Sequence, residues 1–343
     1  MRRTSGLSEA EKIWRAGSSK YPKAVKFASK SRLTIDPETL NSPGEWVMER
    51  ARHQGHEVDT LPLDKDHRAG NLGIYRHVSR LPGAETQGGL ALIEKISFLE
   101  REVVFYSEYA EELALLDPRA SITAEAVFRL SKAYHSIFMR MLPRVRKPKP
   151  SLQVAQEMAT KISAIYALPT KGRRIAGKPS SRFSFEPERL ESLAAKQPQM
   201  FEDLSQPASL VEHRLRSIQE HLNSMPTVPC HADLSFGNMM ADIDGDEVHL
   251  RIIDWGSFGK SRLGIDLRGF LEADSHENGD FARELARSLS LRLKDLSISI
   301  DERDLLLSAL MAQFSMKTRQ YLRSDQQGDA DYALRMLGRM LRY

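Results

Sequence analysis

Residues 231–255, HADLSFGNMMADIDGDEVHLRIIDW, restrict the possible folds more than any other stretch of this chain. Two apolar runs, MMA and VHLRII, flank the polar segment DIDGDE, whose Asp-Gly pair is a strong signal for the turn of a β-hairpin. A hairpin brings the outer ends of its two strands to one edge, and here those ends carry Asn238 and Asp254. Asp233 stands on the loop just before the first strand. The sequence therefore predicts a pocket of carboxylate and amide oxygens, the ligands that Mg2+ prefers.

Two other interpretations of these acids are weaker. The turn at residues 242–246 suggests a Ca2+ loop, but its glycine falls one ligand too early for the EF-hand order, so we expect a solvated turn. Helix capping or turn formation would explain a single loop acid, but not the whole set.

The ordered set of motifs resembles the signature of the aminoglycoside phosphotransferase and choline kinase-like family, which is related to the protein kinases. The motifs that carry the resemblance are His231-x-Asp233-x4-Asn238, Ile253-Asp254-Trp255 and Gly264-Ile-Asp266-Leu. The resemblance extends from about residue 60 to the C-terminus, and one departure is Ala232, where the family commonly has glycine or a polar residue. It implies an α+β, bilobal protein kinase-like fold, with a small antiparallel N-lobe sheet, one helix, and a larger, mostly helical C-lobe.

The resemblance also implies a role for each motif residue. Phosphoryl transfer requires an oriented acceptor and neutralised phosphate charge, rather than covalent help from the protein. Asp233 would orient the acceptor hydroxyl and accept its proton, and His231 would brace the loop. Asn238 and Asp254 would hold Mg2+ against the phosphates of ATP. Asp266 would give structural support by accepting hydrogen bonds from the loop backbone, and Trp255 is expected to pack.

Lys95 is the expected cation for the nucleotide phosphates. It lies in the apolar run LALIEKIS, where an ammonium group is costly unless it is paired. A helical pattern over residues 100–115 follows, and it offers Glu102 as the partner, with Glu100 as the alternative.

The rest of the nucleotide site is less well defined by the sequence. Gly70 and Gly73 in DHRAGNLG would allow the backbone to approach the phosphates, but no full G-x-G-x-x-G is present and a simple turn is the alternative. By analogy with the family, the adenine would lie near FMRMLP, with the Met141 and Leu142 backbone donating and accepting hydrogen bonds.

The pattern along the chain predicts an N-terminal helical extension at 1–55, a nucleotide-binding N-lobe at 56–145 and a catalytic, substrate-binding C-lobe at 146–343. The boundary is the run PRVRKPKP, since proline and clustered charge resist both helix and sheet. Strands are expected at 58–63, 73–81, 90–98 and 135–142, and residues 122–130 fit either a strand or a helix. Helices are expected at 152–168, across 187–225 and from residue 280 onward.

The composition, 41% hydrophobic and 28% charged, excludes disordered and fibrous classes. Lys and Arg (50) nearly balance Asp and Glu (46), so we expect no nucleic-acid partner, and the basic runs at 144–149 and 171–174 are solvated loops or phosphate contacts. The single cysteine, Cys230, is expected to be a small buried residue, and it excludes an intrachain disulfide. With no membrane span or signal core either, we expect a cytoplasmic protein; the oligomeric state stays open.

The resulting prediction is an ATP-dependent, Mg2+-requiring phosphotransferase that acts on the hydroxyl of a small molecule. The sequence does not choose among an amino sugar, a sugar, a nucleoside and a choline-like alcohol. Acidic residues at 272, 274, 277 and 280 would line an acceptor site or form a solvated face. The alternatives are a nucleotide-binding pseudokinase that regulates a partner, and a kinase that acts on a protein side chain.

Overall fold

The structure is a computed structural model, and it describes residues 57–64, 71–80, 91–97, 99–129, 135–142, 145–170, 187–199, 208–244, 247–271 and 281–343. The chain divides into two compact units. The first, the N-unit, runs to Val145 and includes Asp254–Gly256. The second, the C-unit, comprises Arg146–Ile253 and Ser257–Tyr343.

The N-unit contains a five-stranded antiparallel sheet in the order β1-β2-β3-β5-β4. Its strands are β1 (Glu57–Asp64), β2 (Asn71–Arg80), β3 (Ala91–Ser97), β4 (Ala124–Arg129) and β5 (His135–Arg140). The short strand β6 (Val145–Arg146) follows at the division between the units. Residues 124–129 form a strand because they pair with β5, for example Val127 with Ile137, and both of these side chains are buried. Pairing therefore decides an element that the local pattern left open.

One helical segment follows β3 and carries the partner of its lysine. It consists of α1 (Glu100–Val104), a π-helical turn (Phe105–Tyr109) and α2 (Ala110–Leu116). Phe105, the first residue of the π-helical turn, stacks on Trp255 with ring centroids 3.5 Å apart and an interplanar angle of 6°. Both rings are fully buried, and the Trp255 indole N–H donates to Ser121 Oγ at 3.0 Å. Trp255 is thus a packing residue of the N-unit, as expected.

The C-unit contains the hairpin that the sequence predicts. Strands β8 (Met239–Asp244) and β9 (Glu247–Ile252) pair antiparallel, with Met239 opposite Ile252 and Asp244 opposite Glu247. Two further strands, β7 (Thr227–Cys230) and β10 (Gly259–Arg262), pair antiparallel with Cys230 opposite Gly259. Cys230 is fully buried and its Sγ contacts the Gly259 carbonyl at 3.2 Å.

Helices make up most of the described C-unit. They are α3 (Leu152–Tyr166), α4 (Pro187–Lys196), α5 (Ala208–Ser224), α6 (Phe281–Asp295), α7 (Glu302–Ser324) and α8 (Gln327–Met340). Side-chain N-caps begin α3 and α7: Ser151 Oγ accepts from Val154 N, and Asp301 Oδ1 accepts from Asp304 N. Each such cap satisfies one of the amides that a helix start leaves without a partner.

A 3-10 helical turn, Ile265–Phe270, is packed between the loop before β8 and helix α7. Gly264 begins the turn with φ +87°, and a Cβ there would lie 2.4 Å from the Leu305 carbonyl oxygen, so only glycine fits. Leu267 and Phe270 are fully buried, and each contributes about 1.5–3 kcal/mol by burial. The turn is therefore anchored on its apolar side, which fixes the position of its polar residues.

Some predictions fall outside the described residues. These are the extension at 1–55, Gly70 and the acidic residues at 272, 274, 277 and 280. Within the described parts of the chain, no helix combines the length and the apolar character that crossing a membrane requires.

Candidate active site

The loop between β7 and β8, residues 231–238, is held by its first residue. His231 is fully buried, and its Nε2 donates to the Ile253 carbonyl at 2.9 Å. Because a carbonyl can only accept, the ring proton is on Nε2, and Nδ1 accepts from the Asp233 amide at 3.3 Å. The imidazole thus joins the loop to the end of β9 and fixes the backbone of Asp233.

Asp266 supports the same loop from the 3-10 turn. Its two carboxylate oxygens accept from the amides of Ala232, at 2.7 Å, and His231, at 3.3 Å. The side chain is fully buried, and burial raises the pKa of Asp266 to about 7, although the two amide hydrogen bonds and the Arg268 charge oppose that shift. Ala232 adopts φ +62°, in the left-handed region, so the loop holds a conformation that alanine adopts at a cost.

Asp233 has a basic partner that the sequence analysis missed. Its side chain is 57% exposed, and Oδ1 accepts from Arg268 Nη2 at 2.8 Å. The same Nη2 donates to the Ala232 carbonyl at 3.0 Å. Burial lowers the pKa of the Arg268 guanidinium, while the charges of Asp233 and Asp266 raise it. No local pattern marks this contact, because the two residues are 35 positions apart.

Asn238 ends the loop with its amide group turned back on Asp233. Its Nδ2 donates to the Asp233 carbonyl at 2.7 Å and lies 3.5 Å from Asp233 Oδ2. The Asn238 carbonyl accepts from the Ile253 amide at 3.0 Å, which continues the β8–β9 pairing by one step. Since the side-chain nitrogen is used as a donor within the loop, Asn238 Oδ1 is the atom that would bind a cation.

Lys95 forms the charged centre of the N-unit. Its Nζ lies 2.5 Å from Glu102 Oε1 and 2.8 Å from Asp254 Oδ1. Glu102 is fully buried, whereas Glu100 is exposed, so the structure places Glu102 at the ammonium. Burial disfavours the charge, but the two carboxylates outweigh burial and raise the pKa of Lys95. Burial likewise raises the pKa of Glu102, against the influence of Lys95.

Asp254 combines a bond to the lysine with access to water. Its side chain is 42% exposed, and its backbone adopts φ +63°. An aspartate tolerates this left-handed conformation better than most residues do. One carboxylate oxygen, Oδ1, is held by Lys95, and Oδ2 is the second oxygen of a carboxylate exposed enough to bind a cation.

The pairing of the sheet limits which backbone groups of Met141 and Leu142 are available for the predicted contacts with adenine. The Met141 amide donates to the Ala91 carbonyl at 2.9 Å, so it continues the β5–β3 pairing and does not supply a donor to adenine. Only the Met141 carbonyl and the Leu142 backbone remain for that role. Gly73 lies within β2, at a register shift in its pairing with β3.

The oxygen ligands of this chain suit Mg2+ only if substrate phosphates and water complete the coordination of the ion. Among the described residues, no group of three or more His, Cys, Asp or Glu side chains is arranged to hold a metal ion. Mg2+ usually binds one or two protein ligands together with substrate phosphates and water, rather than a complete protein cage. Asn238 Oδ1 in the C-unit and the exposed Asp254 carboxylate in the N-unit are each an oxygen ligand of that kind.

The fold of this chain is similar to that of three solved structures. Spectinomycin phosphotransferase APH(9)-Ia, bound to ADP and spectinomycin, is 11% identical, with a TM-score of 0.52 over 86% of this chain and 98% of its own. The GDP and kanamycin complex of APH(2")-IIia is 15% identical, with a TM-score of 0.53 over 87% and 98%. A microcompartment-associated aminopropanol kinase is 12% identical, with a TM-score of 0.52 over 85% and 94%. These matches confirm the predicted α+β, kinase-like fold class.

The family follows from the sequence match. Residues 111–296, more than half of the chain, match the model of the APH family, described as the phosphotransferase enzyme family. The chain therefore belongs to the APH phosphotransferase family. This confirms the predicted family and the predicted class of enzyme, a phosphotransferase. No curated protein sequence matches the chain.

Proposed function

We propose that this protein transfers the γ-phosphoryl group of ATP, with Mg2+, to a hydroxyl of a small molecule. The observation that carries the proposal is the Lys95 ammonium, 7% exposed and bonded to both Glu102 and Asp254. Two buried or half-buried acids around one buried cation are costly to desolvate. Ionisable groups with shifted pKa values are common at functional sites. Binding of a phosphate group by the Lys95 ammonium would explain why this chain keeps such a cluster.

The N-unit would bind the nucleotide. Lys95 would contact the phosphates, and its hydrogen bond to Glu102 would hold the lysine side chain in place. A Lys–Glu ion pair has this role in kinases. The Met141 carbonyl and the Leu142 amide would meet the adenine, and Gly70 would allow close approach to the phosphates. Asn238 and Asp254 would ligate Mg2+, which when bound supplies positive charge against the phosphate oxygens.

The C-unit would supply the residues that act on the acceptor. Asp233 would accept a hydrogen bond from the acceptor hydroxyl and orient its oxygen toward the γ-phosphorus. A bond then forms between that oxygen and the γ-phosphorus, the bond from the γ-phosphorus to the β–γ bridging oxygen breaks, and ADP leaves. The hydroxyl proton passes to the Asp233 carboxylate as the new bond forms. His231 and Asp266 would keep the loop in the required conformation.

A small-molecule hydroxyl is the acceptor class that we propose, and we infer a cytoplasmic location without a nucleic-acid partner. Only one cysteine is present and the formal charge is +4, which fit a reducing compartment and a surface without a strong basic excess. The candidate acceptors are an amino sugar, a sugar, a nucleoside and a choline-like alcohol.

The test is a panel of hydroxyl compounds in an ADP-release assay with Mg2+ and ATP. The panel contains spectinomycin, kanamycin, aminopropanol, choline and simple sugars, each beside a blank without acceptor. We expect at least one compound to raise ADP release above the blank in the wild-type protein and not in Asp233→Asn. If the protein binds ATP but releases no ADP, either with any compound of the panel or in the blank, a pseudokinase would be favoured instead.

A further inference from the structure

The Asp233 carboxylate is half in solvent, yet its direction is fixed by a buried group. An exposed aspartate ordinarily samples several rotamers. Here Oδ1 accepts from the Arg268 guanidinium, whose side chain is only 9% exposed. A hydrogen bond between two ionised groups is about twice as strong as a neutral one. The carboxylate is therefore held by a partner that cannot itself move freely.

Arg268 is fixed by contacts on both sides of its guanidinium. Nη2 bridges the Ala232 carbonyl, at 3.0 Å, and Asp233 Oδ1, at 2.8 Å. Nη1 lies 3.2 Å from Met316 Sδ on α7. A planar guanidinium offers several donors in a fixed geometry, which a lysine ammonium on its flexible chain does not.

The backbone of the 3-10 turn is also fitted to the loop on either side of Arg268. Asp266 accepts from the amides of His231 and Ala232. A Cβ at Gly269 would lie 2.2 Å from the Leu234 carbonyl oxygen, so the two backbones are in direct contact. The turn's last ring, Phe270, meets Phe236 edge to face at 5.1 Å between centroids.

We propose that Arg268 is a positioning residue for phosphoryl transfer. By holding Oδ1, it sets the direction in which the Asp233 carboxylate presents its other oxygen to the acceptor hydroxyl. The inference depends on the proposed function, in which Asp233 is the proton acceptor. Arg268 itself touches no reacting atom, so its loss changes the rate of transfer and not the binding of nucleotide.

The experiment compares Arg268→Met and Arg268→Lys with wild type, using ADP release from Mg2+-ATP with water as the acceptor. Calorimetric titration with Mg2+-ATP gives the binding stoichiometry, and hence the native fraction of each preparation. We expect Arg268→Met to lower kcat by about 10- to 100-fold, as for a misplaced catalytic group, with KM for ATP unchanged. Arg268→Lys, which restores a cation and one donor, should recover at least part of that loss.

Arg262→Met is the matched control. Arg262 also donates to two backbone carbonyls of the C-unit, those of Asn223 and Met225, and its side chain donates no hydrogen bond to residues 231–238. Its loss should leave kcat per native molecule close to that of wild type. An unchanged kcat per native molecule in Arg268→Met, or equal kcat values in the Met and Lys variants, would overturn the proposal.

Asp233→Asn in the same assay separates this inference from the proposed function. If Asp233→Asn releases ADP as fast as wild type, the proton-acceptor assignment itself fails. If Asp233→Asn is inactive and Arg268→Met is fully active, only the positioning role fails.

Discussion

Replacing Lys95 by methionine tests the buried charges of the N-unit. The change leaves Glu102 without its cation in a fully buried position, whereas Asp254 remains 42% exposed and keeps its contact with water. Breaking a buried ion pair by removing one partner costs about 3–5 kcal/mol. We therefore expect Lys95→Met to lower the free energy of unfolding by about that amount at pH 8, nearly all of it through Glu102.

The pH dependence has a defined sign. Burial raises the pKa of Glu102, and without Lys95 the main influence that lowers it is gone. A carboxyl whose pKa is higher in the folded state stabilises the protein while it is protonated, and that stabilisation is lost as pH rises through the folded value. The loss caused by Lys95→Met should thus be smaller at pH 5 than at pH 8.

Urea unfolding followed by tryptophan fluorescence measures this effect, since Trp255 belongs to the same unit as Lys95. The second variant, Lys95→Met with Glu102→Gln, removes the stranded charge and should regain most of the lost stability at pH 8. Lys161→Met is the control: this lysine is also buried, but its Glu157 partner is 22% exposed and 3.7 Å away. A pH-independent loss that Glu102→Gln does not restore would refute the reasoning.

Three further predictions concern the loop and the metal. Asp254→Ala should weaken ATP binding at least about tenfold with Mg2+ and much less without it, as measured by calorimetry; equal losses would remove Asp254 from the metal site. Because the pKa of Asp266 is raised to about 7, ionisation of this carboxyl destabilises the folded wild-type protein as the pH rises. The unfolding free energy of Asp266→Asn minus that of wild type should therefore increase by up to about 4 kcal/mol between pH 4 and pH 8. A difference in urea unfolding that does not change with pH would exclude this. Ala232→Gly should raise the unfolding free energy by about 0.5–1 kcal/mol, because glycine adopts φ +62° without penalty, although it loses more chain entropy on folding. The control Ala159→Gly, within helix α3, should lower the unfolding free energy. Destabilisation by Ala232→Gly would contradict the claim that the backbone of Ala232 is strained.

The parts of the site that depend on short spacings could be predicted from the sequence. The Asp-Gly pair predicted a hairpin, and β8 and β9 do pair, which brings the Ile253 amide to the Asn238 carbonyl. An ammonium inside an apolar strand required a partner, and the following helix offered Glu102 in its first turn. Both conclusions use only local geometry, which the chain encodes directly.

Contacts between distant segments could not be predicted in this way. Arg268 reaches Asp233 because the 3-10 turn packs against the loop, and neither periodicity nor composition indicates that packing. The Met141 amide likewise donates its hydrogen bond to Ala91 of β3, which lies 50 residues away in the chain. In both cases the tertiary arrangement, rather than the residue type, determines which polar group is available.

A buried polar cluster in the N-unit sheet was missed for the same reason. Glu94 lies next to Lys95 in β3, and alternation along a strand turns it to the opposite face. There one carboxylate oxygen lies 2.9 Å from His77 Nε2, and the other accepts from Ser136 Oγ. All three side chains are fully buried, so the cluster joins β2, β3 and β5 through buried hydrogen bonds.

The proton-acceptor role of Asp233 is tested most directly by Asp233→Asn, because the amide can still accept from Arg268 through its oxygen but cannot take up the acceptor proton. The measurement is single-turnover phosphoryl transfer at saturating Mg2+-ATP, beside calorimetric titration of the same protein with Mg2+-ATP. We expect ATP affinity close to that of wild type and transfer slower by at least about 100-fold. Transfer at the wild-type rate with intact nucleotide binding would contradict the assignment of Asp233.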